Sequence, residues 1–258
     1  LGRMGLDDQA IDIFVKGLLI SPSDPKTLVN FGTAVQDREF LTARSELFPI
    51  FAKLLDNSTY IRPKDISNAL ISLLKHEVAF QNFLNLDPLT ENWGSLTNII
   101  SEIANFSVFI KLMKVCPVPD LAIEKSLIKL RSYFLHAFLQ GNVSSELLPL
   151  QSALAIQCFF NEYIYNNNEG DEEALLAIEA QVIKDLASRN EPCPTAILSL
   201  ASFKPLSDYD WHNLLPVSDE IFETFRRQVT EPLLEQQIKS KMSKLKELSD
   251  DVSIEVGR

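Results

Sequence analysis

Glycine is scarce in this chain: eight residues of 258, well below the roughly 7% of an average protein. The scarcity removes whole classes of site. There is no GxGxxG, no phosphate-cradling glycine loop and no Gly-x-Ser-x-Gly elbow around Ser126, Ser152 or Ser202, so neither a nucleotide pocket of the usual kind nor a hydrolase nucleophile is encoded. Cysteine is equally sparse. Cys116, Cys158 and Cys193 are far apart and odd in number, with no CxxC or HxxxH spacing, which supports neither a disulfide framework nor a zinc site and suits a reducing, cytoplasmic setting. No apolar run approaches the roughly 20 residues of a membrane span, and no signal peptide is evident. Basic charge is outweighed, at a net −11, which argues against nucleic acid and against an anionic membrane surface. Period-two alternation is absent too, which leaves helices.

What is present is apolar periodicity at three and four residues, in a chain 46% hydrophobic and so able to bury a large core. The spacing predicts helices over Leu6–Ile20, Pro25–Gln36, Glu39–Leu55, Pro63–Leu74, His76–Leu86 and Trp93–Val115. Pro119-Asp120 opens the clearest amphipathic helix, with Ile123, Leu127, Leu130, Phe134 and Phe138 on one face and Gly141 just past its end. Pro149–Tyr165 is apolar almost all round and is expected at the centre. Asp171, Glu172 and Glu173 place acid at the start of the next helix, where the dipole favours it, ahead of the stripe Leu175, Ile178, Val182 and Leu186. Pro192–Phe203, Ser218–Gln228 and Glu231–Leu248 complete the set, with Ser218 and Thr230 as N-caps. The fold class is all-α.

The N-terminal spacing carries more. Ala10-x3-Phe14 with Pro22, then Leu28-x2-Phe31-Gly32-x2-Val35, resembles the second half of one tetratricopeptide unit and the first half of the next. Ala10 and Gly32 are small where helices approach closely, and Pro22 stops a helix. The missing first half of the first unit, and a first residue that is not Met, imply a longer parent protein. The spacing fades after residue 56. The expected organisation is a tetratricopeptide-repeat portion over 1–56, a helical bundle domain over 57–248, and a linker over 249–258.

Polar residues with possible roles are few. Lys26 and Asn30, one turn apart on a repeat helix, match the kind of pair that grips a peptide carboxylate in some tetratricopeptide grooves, though Asn there also serves packing. Asp7-Asp8-x3-Asp12 lacks the second acidic cluster that a metal site of the prenyl-transfer type requires, and suits a helix start. His76, His136 and His212 are isolated, and Trp93 and Trp211 read as core or interface anchors. Gln157, Asn161 and Glu162 form the most unusual polar set, on an otherwise apolar helix. They are expected to form a buried polar network that fixes helix register, or a contact to a neighbouring domain.

The nine residues Gln157-Cys158-Phe159-Phe160-Asn161-Glu162-Tyr163-Ile164-Tyr165 resemble a stretch in bacterial proteins that join tetratricopeptide repeats, a helical middle region and a C-terminal S-adenosylmethionine-dependent methyltransferase. Pro119-Asp120-Leu121-Ala122-Ile123-Glu124, Arg227-Gln228-x-x-Glu231-Pro232 and Asp250-Asp251-Val252-Ser253-x-x-Val256 agree in the same order. In that family the last run leads into the methyltransferase fold. The resemblance therefore implies a non-catalytic interaction or regulatory region. Its partners would be a protein or peptide and its own methyltransferase domain, which follows Arg258 and holds the cofactor. No catalytic, metal or cofactor-binding residue is expected within these 258 residues. A free-standing helical adaptor is the alternative.

Overall fold

The computed structural model describes residues 2–57, 60–86 and 93–242. Among these residues there are twelve α-helices and no strand. In order they are α1 (Gly2–Ile20), α2 (Pro25–Val35), α3 (Phe48–Asp56), α4 (Pro63–Leu74), α5 (Val78–Leu84), α6 (Trp93–Ala104), α7 (Ser107–Val115), α8 (Leu121–Leu139), α9 (Leu148–Phe160), α10 (Asp171–Ala187), α11 (Pro194–Ala201) and α12 (Asp219–Phe225). A π-turn over Arg226–Thr230 follows α12, and the chain stays helical over 231–242.

Helix α9 is the hub. Every residue from Leu150 to Cys158 is buried, and the helix packs on α7, α8, α11 and α12. One apolar core runs from Ile11 to Cys158, continuous across residue 56. A second gathers Leu135, Ala155, Ile178, Ile197, Leu200, Tyr209, Trp211 and Val229 around α10, α11 and α12. Because α9 supplies Leu154 to the first and Ala155 to the second, its all-round apolar character follows from its position.

Several boundaries follow local chemistry as the sequence implies. Asp120 caps α8, its carboxylate accepting from the amides of Ala122 and Ile123 at 3.1 Å. Gly141, at φ +69°, closes the same helix, its amide donating to Phe138 while Asn142 reaches back to Ala137, both at 2.9 Å. Gly32 is small chiefly for a link rather than a helix: a Cβ there would stand 3.1 Å from Cδ1 of Ile61, in the link between α3 and α4, and 3.5 Å from Leu54 of α3.

Others differ. The helix expected over Glu39–Leu55 starts only at Ser45, because Pro49 belongs in a first turn. Residues 37–44 form a non-helical link, so α2 and α3 are not joined by a tight repeat-type turn. The same device recurs one hundred residues on. Ser45-Glu-Leu-Phe-Pro-Ile50 and Ser145-Glu-Leu-Leu-Pro-Leu150 each make a 3-10 turn that buries its Leu (Leu47, Leu147), then a helix with Pro in its first turn. The helix expected over Trp93–Val115 is two, α6 and α7, bent by 75° at Asn105-Phe106. Thr230 is no N-cap, since the helix runs straight through it as the π-turn. Pro232 gives the reason: it has no N–H, and its ring would crowd the carbonyl of Gln228 four residues back. The helix widens instead, and Glu231 donates to Arg226, five residues back. Ser218 takes the extended N-cap backbone ahead of α12 without a hydroxyl-to-backbone bond. The expected linker 249–258 and the end of the last helix at Leu248 lie outside the described residues.

Candidate functional site

The segment that carries the resemblance, 157–165, begins inside α9 and leaves it abruptly. Gln157 is fully buried. Its side-chain amide donates to the Cys116 carbonyl at 3.2 Å and accepts from the Val118 amide at 3.1 Å, pinning the link between α7 and α8. The helix then ends five residues earlier than the expected Tyr165. Glu162 donates to Phe159 at 3.1 Å and Tyr163 to Cys158 at 3.0 Å, with φ of +51° at Glu162 and +55° at Tyr163. Two successive non-glycine residues in the left-handed region are uncommon and store strain. The turn throws Glu162 into solvent, so the expectation that it joins a buried network is corrected: a carboxylate on a reversing loop stays hydrated. Asn161 is half-buried at the helix end and donates to the Tyr165 hydroxyl. Tyr163 turns inward and donates to Ala201 O at 3.2 Å; desolvation pushes its hydroxyl well above its usual range.

The strained turn feeds a buried charged group that spacing did not single out. Arg131 of α8 is only 1% exposed. Its guanidinium lies over Phe203 at 4.1 Å and Tyr165 at 5.6 Å, and Nη2 donates to Asn166 O at 2.9 Å. Burial pulls its pKa down, with Cys158, Asp171 and Tyr165 opposing. Asp171, fully buried at the start of α10, accepts from Ser132 Oγ at 2.7 Å, from His136 Nε2 at 3.2 Å and from the Asn168 amide at 2.8 Å. The sequence did hold a signal for Arg131: it stands one turn beyond Leu127, inside the apolar stripe of α8.

Serine, histidine and aspartate together invite a catalytic reading, and the geometry refuses it. Ser132 and His136 both donate to the same oxygen, Asp171 Oδ1. A nucleophile needs the imidazole between hydroxyl and carboxylate; here the carboxylate is in the middle. The thiols are no better placed. Cys116 and Cys158 are buried, and desolvation pushes them up to about 11 and about 12, against the low values of reactive thiolates. Cys193 is exposed.

The remaining polar candidates have local duties. Asp8 and Asp12 pair with Arg38 and Arg44 of the 37–44 link, the second at 2.8 Å. His76 donates to Phe40 O at 2.8 Å and His212 to Tyr209 O at 2.7 Å. Trp211 is buried and donates to Glu179 at 3.3 Å. Lys26 and Asn30 are both exposed on α2. No group of His, Cys, Asp or Glu among the described residues is arranged to hold a metal.

The second resembling segment, Arg227 to Pro232, supplies a further buried tie. Gln228 on the π-turn donates to Ala155 O and Ala201 O and accepts from the Leu206 amide, each at 3.0 Å. Beside it Ser152 and Thr224 share a bond of 2.9 Å. At the surface, a groove of about 650 Å³ lies along the start of α8, lined by Leu84, Leu121 and Ile128 and rimmed by Lys75, Lys125 and Lys129. Among the described residues no single helix is long and apolar enough to cross a membrane; α6 and α7 pass only as a bent pair, and they bury Ile100, Ile103, Phe109 and Leu112. Compared with protein-family models, with curated proteins and with solved structures, the chain matches none.

Proposed function

We propose that this chain is the non-catalytic, partner-binding and regulatory region of a bacterial, cytoplasmic S-adenosylmethionine-dependent methyltransferase with tetratricopeptide-type helices at its start. The cofactor and the chemistry would belong to a following domain, and the partner would be a protein or peptide. What carries this reading is the use made of the polar residues in the two resembling segments. Gln157 and Gln228 bond to backbone groups of neighbouring elements; they hold helices in register and face no cleft. A free-standing helical adaptor is the second reading, favoured by the lysine-rimmed groove with its exposed Leu121. Calorimetric titration with S-adenosylmethionine, of these 258 residues and of the whole reading frame side by side, tests the proposal. Binding by the longer product alone supports it. Micromolar binding by these residues themselves, or a reading frame that encodes no further domain, overturns it.

A further inference from the structure

The groove along the start of α8 is lined by two strips that run side by side. At about 100° per residue, Leu121 and Ile128 fall within about 20° of one line along the helix, and Lys125 and Lys129 lie about 40° and about 80° round from Leu121. All four line the groove, and Leu84 at the end of α5 adds to its apolar wall. Leu121 is 67% exposed, and Leu84 and Ile128 are half-buried.

The lysines around the groove are not equivalent. Lys75 is balanced by Asp120, with which it pairs. The ammonium of Lys129 donates to the Leu86 carbonyl, a neutral acceptor, and so keeps its full charge. Lys125 is exposed and, among the described residues, has no ionic or hydrogen-bonded partner. Glu124, the acid of α8, does not line the groove. Two uncompensated lysines, one turn and about 6 Å apart along the axis, therefore stand beside an apolar strip on a chain of net charge −11. A ligand that uses both strips carries carboxylates next to a bulky apolar side chain. It is also short. A nucleic acid or an anionic membrane would bring its charge against the acidic remainder of the chain, whereas a short segment feels only what lies within a Debye length of about 8 Å.

We infer that this groove is a docking site for a short acidic segment of a protein partner, whose apolar side chain lies on Leu84, Leu121 and Ile128 while two of its carboxylates meet Lys125 and Lys129. Acids four apart on a helix, or two apart on an extended strand, have the required spacing. The inference rests on the partner-binding part of the reading above and not on a following methyltransferase domain. Its failure therefore leaves the S-adenosylmethionine titration to stand or fall by itself.

Fluorescence anisotropy of a labelled peptide, Glu-Leu-Leu-Glu repeated three times, titrated with the 258-residue chain tests this. Two relatives are titrated beside it, one with Gln for every Glu and one with Ser for every Leu. The first peptide is expected to bind with a Kd of about 100 μM or tighter, and each relative at least about tenfold more weakly. Lys125→Glu should weaken the first peptide by about tenfold, because it turns an attraction into a repulsion, and added salt should weaken it as well. Leu121→Ser should weaken it by removing apolar contact. Both side chains are exposed, so folding should be unaffected, which circular dichroism checks. No binding to the wild type at about 1 mM overturns the inference. So does equal binding of the Gln relative, which would leave the lysines no part, and so does indifference to Lys125→Glu. Loss of binding in Lys26→Glu instead would place the peptide on α2. Binding only after Asp87→Asn and Glu91→Gln together would assign the groove to the chain's own residues 87–92, and either result overturns the docking of a partner there.

Discussion

Around α5 and α7 the interior is aromatic. Phe80 meets Phe109 edge-on at 5.0 Å and Phe83 at 5.9 Å, and Phe106 joins Phe80 to Phe48, each contact at 6.3 Å. Around α11 and α12 it is cross-tied by polar groups: Gln228, Ser152 with Thr224, and Tyr163 on Ala201. The difference reflects what each region must join. In the ring cluster of the first core the side chains meet other apolar side chains, so volume and shape decide the fit there. The second joins short helices through 3-10 turns and a π-turn, which leave backbone groups free inside, and buried side chains must satisfy them. One region is specified by volume, the other by bonding.

That contrast can be broken by substitution. Phe80→Ala should have the largest effect, destabilising by about 3–5 kcal/mol through the cavity it leaves in the ring cluster; Phe80→Met, close in volume, should lose less than about 1.5 kcal/mol. Gln228→Met keeps the shape but strands the Leu206 amide and the carbonyls of Ala155 and Ala201, and should lose about 2–4 kcal/mol. Denaturant midpoints for the two methionine variants provide the comparison, and equal losses would erase the distinction between the cores. Gln157→Met follows at about 1–3 kcal/mol, as the Cys116 carbonyl and Val118 amide lose their partner. Asn161→Ala should lose less than about 1 kcal/mol, because a half-buried group regains water.

A last difference is absent at neutral pH and opens in alkali. Cys116 and Cys158 titrate at about 11 and about 12 in the folded chain against an ordinary 9.0, raised by desolvation. Between those values the unfolded chain gives up its thiol protons while the folded chain keeps them. Stability therefore falls as pH rises above about 9. Tyr163 and Tyr209, also raised by desolvation, act in the same direction above their ordinary 10.0. Thermal midpoints measured from neutral pH upward should show this decline, and Cys158→Ala should make it shallower. An unchanged slope in that variant would mean that Cys158 opens to solvent in the native chain.

Much was fixed by the sequence alone: the all-α class, the buried stripe of α8, the Asp120 cap, the Gly141 stop and the central place of α9. These are local matters, set by side-chain period and by residues that satisfy a helix end within a few positions. The late start of α3 was legible as well, in Pro49 and in the hexamer repeated at Ser145. The candidate polar site was less so. Periodicity put Gln157, Asn161 and Glu162 together on one helix; the structure buries Gln157 alone of the three, ends the helix at Phe160 and sends Glu162 to water. Only the tertiary structure decided that Arg131 would lie over Phe203, that Asp171 would gather Ser132 and His136, and that Gln228 would tie three elements together. Those partners lie at least 22 residues apart in the chain. A buried polar group is stable wherever a partner is brought to it, and which partner arrives depends on how whole helices pack.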